Sequence, residues 1–154
     1  MKAIRSNLMT ALACALIVPA ASAATYRVDD SASEVIGNTV QMRWDTPTPE
    51  PGRRQVMSGD ITVLVRLDVA QWKGRQGRIY MILPAQSFGQ VTANWTTRGR
   101  LLPGTLRSGE RTLVHSGPIT DDRIEDTLYL QIDADGRYLT RTEQLNFSFE
   151  IDVE

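Results

Sequence analysis

The last ten residues, 145–154, alternate apolar and polar side chains without a break: Leu145, Phe147, Phe149, Ile151 and Val153 fall on one set, and Asn146, Ser148, Glu150, Asp152 and Glu154 on the other. A β-strand turns successive side chains to opposite faces, so this segment has one apolar and one polar face and suits half-burial in a sheet. A helix would scatter the same residues around its axis. A half-buried strand at the chain terminus is a place where a fold is finished or where a partner strand takes hold.

The other end of the chain carries an export pattern. Lys2 and Arg5 precede an apolar stretch over residues 8–21, and Ala21, Ser22 and Ala23 form the small-x-small pattern read by signal peptidase. Cleavage is expected before Ala24, making residues 1–23 a signal peptide. The apolar stretch is shorter than the roughly 20 residues a transmembrane helix needs, and no second long apolar run follows it. The expected product is exported to the periplasm or cell surface, with no membrane-spanning segment. The only cysteine, Cys14, leaves with the signal, so stability in an oxidising compartment must come from packing rather than a disulfide. The remaining 131 residues suit one domain with a real core.

After cleavage, 15 basic residues face 18 acidic ones, and 14 of the 15 are arginine. The near balance hides a polarity. Residues 53–111 hold ten bases and three acids, whereas residues 121–154 hold ten acids and three bases. Two readings stand: neighbouring strands whose charges pair across a sheet, or a bipolar surface suited to head-to-tail association. Nothing in this balance calls for nucleic acid.

Period-two patterns dominate the body. Strands are expected over residues 61–69, 78–83, 91–97, 112–115 and 128–132, with Asp135-Gly136 as a turn that joins the last of these to the C-terminal strand in a hairpin. Residues 35–44 read as a strand interrupted at Gly37. No segment keeps helical periodicity for three turns, and residues 120–125 offer one capped turn at most. The prolines at 47, 49 and 51 mark an extended loop that divides an N-terminal strand segment, 24–45, from a body of residues 46–154. Short strands with turns every 8–12 residues indicate an all-β fold, an antiparallel sandwich or small barrel.

Few residues carry chemistry. His115 is the only histidine, and its neighbour Ser116 would face the opposite side of a strand, so the two do not form a nucleophile–base pair. The acids Asp121, Asp122, Glu125 and Asp126, and the start of a calcium-loop pattern at Asp133-Ala134-Asp135-Gly136, are weighed for metal, but the latter has Gln144 where a bidentate Glu belongs. A solvated acidic face and a plain turn explain them as well. Trp72, Lys73, Arg75 and Arg78 form a basic, glycine-flanked loop that suits phosphate, sugar or an acidic partner, or is a solvated turn. Trp44 and Trp95 fall within strand patterns and are expected in the core. No cofactor or metal site is expected, and no catalytic residue is assigned.

The signal at 1–23, the β-prone segment from Tyr26 to Trp44, the all-β body and the alternating strand 145–153 together resemble a bacterial fimbrial (pilus) subunit of the chaperone–usher kind. That resemblance implies an immunoglobulin-like β-sandwich, incomplete until a strand from outside fills it. It implies Leu145, Phe147, Phe149, Ile151 and Val153 as the strand bordering the gap, and Ile36, Val40, Met42 and Trp44 as the donated strand. The implied partners are other subunits, or copies of the chain itself, and a periplasmic chaperone. The chain departs from the family in its terminal Val153-Glu154 and in Asn38, which interrupts the N-terminal alternation. The expected function is therefore non-enzymatic protein–protein contact in surface assembly and cell adhesion. The alternative is a self-contained periplasmic module binding a sugar, lipid or protein. An enzyme working through carboxylates alone is the third reading.

Overall fold

A computed structural model describes residues 24–37, 39–46, 51–53, 55–139 and 143–154. The signal segment and residues 47–50 of the proline-rich loop lie outside the described residues. The fold is an all-β sandwich of two antiparallel sheets.

The longest elements lie at its centre. Strand β4 (Val56–Asp68) pairs with β9 (Arg123–Asp135) over 13 residues, from Val56 opposite Asp135 to Asp68 opposite Arg123. Both alternate, so one shared face carries Val65, Leu67, Leu128, Leu130 and Ile132 into the core while Asp60, Thr62, Tyr129 and Gln131 point outward. On the far side of β9 follow β6 (Val91–Thr97) and β7 (Gly104–Arg107); on the far side of β4 lie two short pieces, β2 (Glu34–Ile36) and β3 (Arg43–Trp44). These six strands make the first sheet. The second has the order β1 (Ala24–Arg27), β10 (Ser148–Val153), β5 (Gln76–Leu83), β8 (Glu110–Pro118). Its inward residues include Ile79, Met81, Leu83, Val114 and Ile151, all at most 1% exposed.

The sandwich is tied along both flanks. On one flank Leu102 N–H donates to the Val114 carbonyl at 2.7 Å and the Thr112 hydroxyl donates to the Thr105 carbonyl at 2.7 Å. On the other, Asp68 N–H donates to the Asp29 carbonyl at 2.9 Å, where the chain crosses from β1 to the opposite sheet. These ties satisfy backbone groups that would otherwise be left at open edges.

The expected strands at 78–83, 91–97, 112–115 and 128–132 fall within observed ones, and that at 61–69 does so except for Val69, which lies just beyond β4; most are longer than the apolar alternation alone indicates. Two readings need correction. The expected hairpin after Asp135-Gly136 does not form: β9 belongs to the six-stranded sheet, while β10 crosses to the other and pairs with β1 and β5. Residues 120–125 form no helical turn, since β9 begins at Arg123; the short 3-10 turn lies instead at Ala70–Trp72. The strand expected over 35–44 with an interruption at Gly37 is observed as two short pieces, and Gly37 adopts a positive φ of 87°, a conformation that ends extended structure.

The C-terminal alternation is realised as expected, although the strand itself spans only 148–153. Phe149, Ile151 and Val153 are buried at 4%, 0% and 2% exposure, and Leu145 and Phe147 pack half-buried against the core from outside the strand. Replacing Phe149 with Asp is predicted to destabilise the domain by more than about 3 kcal/mol, because it leaves a cavity and buries an unpaired carboxylate. Chemical denaturation followed by circular dichroism measures this; equal stability in variant and parent would refute the burial.

Candidate functional site

The C-terminal strand expected to border a gap has both edges occupied within the chain. On one side it pairs with β5; on the other, Ala24, Thr25, Tyr26 and Arg27 pair antiparallel with Val153, Asp152, Ile151 and Glu150. The ladder continues where Val28 N–H donates to the Phe149 carbonyl at 2.9 Å, and the Val28 side chain is fully buried. The strand that covers β10 is therefore residues 24–27, not the candidate donor segment. Those candidates lie on the edge of the opposite sheet. Ile36 stands opposite Thr62 on the outer face and is 55% exposed. Val40 and Met42 lie over Gly59, close enough that a side chain there would collide with them. Trp44 stands opposite Met57 and against Gly136. The four do not share one face, because seven residues from Ile36 to Arg43 span only four on β4, from Thr62 to Ser58, which shifts the register between Ile36 and the rest.

The two tryptophan readings exchange places. Trp72, expected to open a ligand loop, is 3% exposed and has Tyr26 beside it at 6.0 Å between ring centroids. Trp44, expected in the core, is 45% exposed, whereas Trp95 is buried and its indole N–H donates to the Leu102 carbonyl at 2.9 Å. The bases of the Trp72 loop are committed to the chain itself. The Lys73 ammonium reaches Asp122 at 2.9 Å, the Arg75 guanidinium donates to the Glu154 carbonyl at 3.0 Å, and Arg78 meets the Glu154 carboxylate at 3.3 Å. The Asp122 carboxylate holds the Lys73 ammonium above its ordinary value through their hydrogen bond and charge.

The same pattern accounts for the charge polarity of the chain. Arg66, Lys73, Arg78, Arg100 and Arg111, from the basic stretch, each reach an acid between residues 121 and 154. Arg100 bonds Asp121, and its guanidinium, helped by the Thr120 hydroxyl, holds that carboxyl below the usual carboxylate range. Asp135 is gripped by Arg137, so the apparent start of a calcium loop is a salt-bridged turn. The four acids after residue 120 are likewise taken, three by bases and Asp126 by backbone.

Asp126 is buried, and its carboxylate organises the loop between β6 and β7. Gly99 N–H donates to Oδ1 and Leu101 N–H to Oδ2, both at 2.8 Å, while Thr127 N–H donates to Oδ1 at 2.6 Å. Gly99 is required by this approach: a Cβ there would stand 2.9 Å from the carboxylate. Leu101 is thereby turned into the core at 2% exposure. Arg98, on the same loop, sits over the ring of Tyr129 at 5.2 Å from its centroid.

Pro103 of this loop borders an open trough of about 880 Å³ on the outer face of the six-stranded sheet. Two cross-strand rows form its floor. One runs Ile36, Thr62, Tyr129, Thr96; the next runs Asp60, Gln131, Asn94, Thr105. Pro103 and Gly104 close the far end. The Thr105 hydroxyl donates to Asn94 Oδ1 at 2.8 Å and Asn94 Nδ2 donates to Asp133 Oδ2 at 3.3 Å, so the Asn94 amide is held in place. Asp60, Thr62 and Gln131 make no side-chain hydrogen bond to another described residue. Sequence reasoning gave these positions no role. Thr62, Tyr129 and Gln131 were visible as the polar halves of alternating strands, but which strand lies beside which is not written in any one segment.

His115 lies opposite Ile79 at a bulge in β8, on the core side, with Ser116 on the other face. Its Nε2 is buried and without a hydrogen-bond partner among the described residues. Burial, and then the positive charge of Arg100, push the imidazole below its ordinary value. The fold therefore favours neutral His115. The stability this contributes is present above the unfolded value, near pH 6.5, and is lost as pH falls below it toward the depressed folded value. We predict that thermal stability drops more between pH 7.5 and pH 5.5 in the parent than in His115→Gln; matching pH profiles would overturn the assignment.

Asp126→Ala is predicted to cost about 3 kcal/mol or more, since several backbone donors lose one charged acceptor. Amide exchange at Gly99 and Leu101 should accelerate beyond the global change. Unaltered exchange at both would show that the carboxylate does not hold the loop.

In comparison with known proteins, no family model matches this chain, and neither does any curated protein or solved structure.

Proposed function

We propose that the chain is an exported, non-catalytic recognition module, a sandwich complete in itself that binds through the trough on its six-stranded sheet. The observation that carries this reading is the position of the N-terminal segment. Residues 24–27 complete one sheet, residues 34–36 and 43–44 extend the other, and Val28 and Met42 between them contribute to the core. A sandwich with both edges of its C-terminal strand paired has no vacancy that must be filled from outside. The site then lies on rigid strands, where side chains need little ordering to bind. Export to the periplasm or cell surface follows from the signal pattern at residues 1–23.

A second reading has its own support. Strand β1 is four residues long, exposed at every one, and joined along one edge only. Such a strand can be displaced by the equivalent strand of another copy or of a different subunit, because main-chain pairing is the same in either case. This is the fimbrial assembly reading, with an immunoglobulin-like sandwich as the finer description of the fold, a periplasmic chaperone among the partners, and residues 24–27 in the donor role in place of residues 36–44.

Size-exclusion chromatography with circular dichroism separates the two. For the self-contained module, residues 24–154 stay monomeric at high concentration, and deleting residues 24–44 unfolds or aggregates the chain. Concentration-dependent oligomers that vanish when residues 24–27 alone are removed, and return on adding a peptide of that sequence, would replace the module with the assembly subunit.

A further inference from the structure

We infer that the trough takes a neutral oligosaccharide laid across the strands, an assignment that rests on the recognition-module reading. The trough differs in kind from the outer face of the four-stranded sheet. The outer face of the four-stranded sheet is filled by ion pairs: Arg111 stands over the Tyr80 ring at 4.2 Å and against Asp152 at 3.4 Å, and Arg78 meets Glu154 beside them. On the six-stranded sheet, Asp60 is the single charged side chain among those lining the trough. In a chain with 23% charged residues, a lining of one carboxylate and no base limits what the trough can hold.

An anionic ligand, whether nucleic acid, phosphate ester or acidic glycan, is recognised by Arg and Lys, and none lines this surface. A lipid needs a largely apolar wall, and here the hydroxyl, amide and carboxylate groups of Thr62, Thr96, Asn94, Gln131 and Asp60 break up the apolar lining. An extended peptide is captured through a free sheet edge, whereas Asp60, Thr62, Asn94, Tyr129 and Gln131 stand on β4, β9 and β6, the inner strands, whose backbone groups are spent in ladders on both sides. A ligand made of hydroxyl groups fits what remains. Gln131 and Asn94 sit directly opposite one another, and each amide offers a donor and an acceptor in one plane. Asp60, on the other side of Gln131, adds a carboxylate acceptor, and Thr62 a hydroxyl.

Tyr129 supplies the complementary element. An aromatic ring presents an apolar face to the C–H side of a sugar and keeps a polar tip. Tyr129 is 38% exposed and is steadied by Arg98. The polar row and the row containing Tyr129 lie two residues apart, about 7 Å, and successive side chains within a row are about 4.8 Å apart. That grid repeats on the scale of a single hexose unit, so a chain of several units meets one polar side chain after another.

The test uses uniformly 15N-labelled residues 24–154, titrated separately with maltohexaose, cellohexaose and hexa-N-acetylchitohexaose. At least one should shift the backbone amides of residues 60–62, 94–96 and 129–131 in a saturable way. Tyr129→Ala and Gln131→Leu should each weaken that binding by about tenfold or more with the spectrum otherwise intact. Absence of shifts with all three sugars, or equal binding by Tyr129→Ala, overturns the assignment. A heparin hexasaccharide and an uncharged decapeptide are titrated in parallel. Shifts at the trough with either of these alone replace the ligand class and leave the trough as a binding face. No shift there with any probe removes the trough from the recognition-module reading as well.

Discussion

The 13-pair ladder between β4 and β9 is the constraint on which the rest of this sandwich depends. It is the longest run of pairing among the described residues and lies inside the six-stranded sheet, with β2 and β3 on one side and β6 and β7 on the other. Its register decides which half of each strand is core. Slipping β4 by one residue against β9 would turn Val65 and Leu67 to solvent and bury Thr62 and Arg66. The same register sets the two polar rows of the trough. The apolar core and the candidate binding face are thus two sides of one ladder.

The loop joining β6 to β7 shows how a buried charge is accommodated. Removing a carboxylate from water is unfavourable unless several donors replace the lost hydration. Asp126 receives backbone N–H groups from a glycine-containing turn that folds around it. That arrangement orients Leu101 into the core, Arg98 toward Tyr129 and Pro103 toward the trough. Elsewhere charges are handled in pairs on the surface. The basic stretch and the acidic stretch are brought side by side by topology, so their opposite signs meet as cross-strand contacts. Individually such exposed pairs stabilise little, and their consequence here is to leave the trough, with one carboxylate and no base in its lining, as the distinctive surface.

The N-terminal segment connects fold to function. It crosses from one sheet to the other where Asp29 meets Asp68, leaving β1 on one sheet and β2 and β3 on the other. Packing favours this arrangement where side chains are buried, as at Val28, and leaves it open to exchange where they are not, as along β1. The two functional readings differ in which of these dominates when a second molecule is present.

Much of the architecture was legible in the residues alone. Period-two alternation identified β4, β5, β6, β8, β9 and β10, because side-chain alternation is a local property of extended backbone. It also identified the buried set of β10, since Phe149, Ile151 and Val153 share a face wherever the strand is placed. Pairing was not legible. The Asp135-Gly136 turn suggested a hairpin, yet β10 lies in the other sheet, because partner choice depends on burying both faces of the whole sandwich rather than on the turn. The Trp72 loop read as a surface for ligands until topology brought Asp122 and Glu154 against it. The trough could not be read at all: Thr62, Asn94, Tyr129 and Gln131 come from three separated strands, and each is an ordinary polar residue of its own strand. Sequence alone determined which residues face the same way along each strand; only tertiary structure decided which strands stand side by side, because that choice is made by long-range packing and not by any local preference.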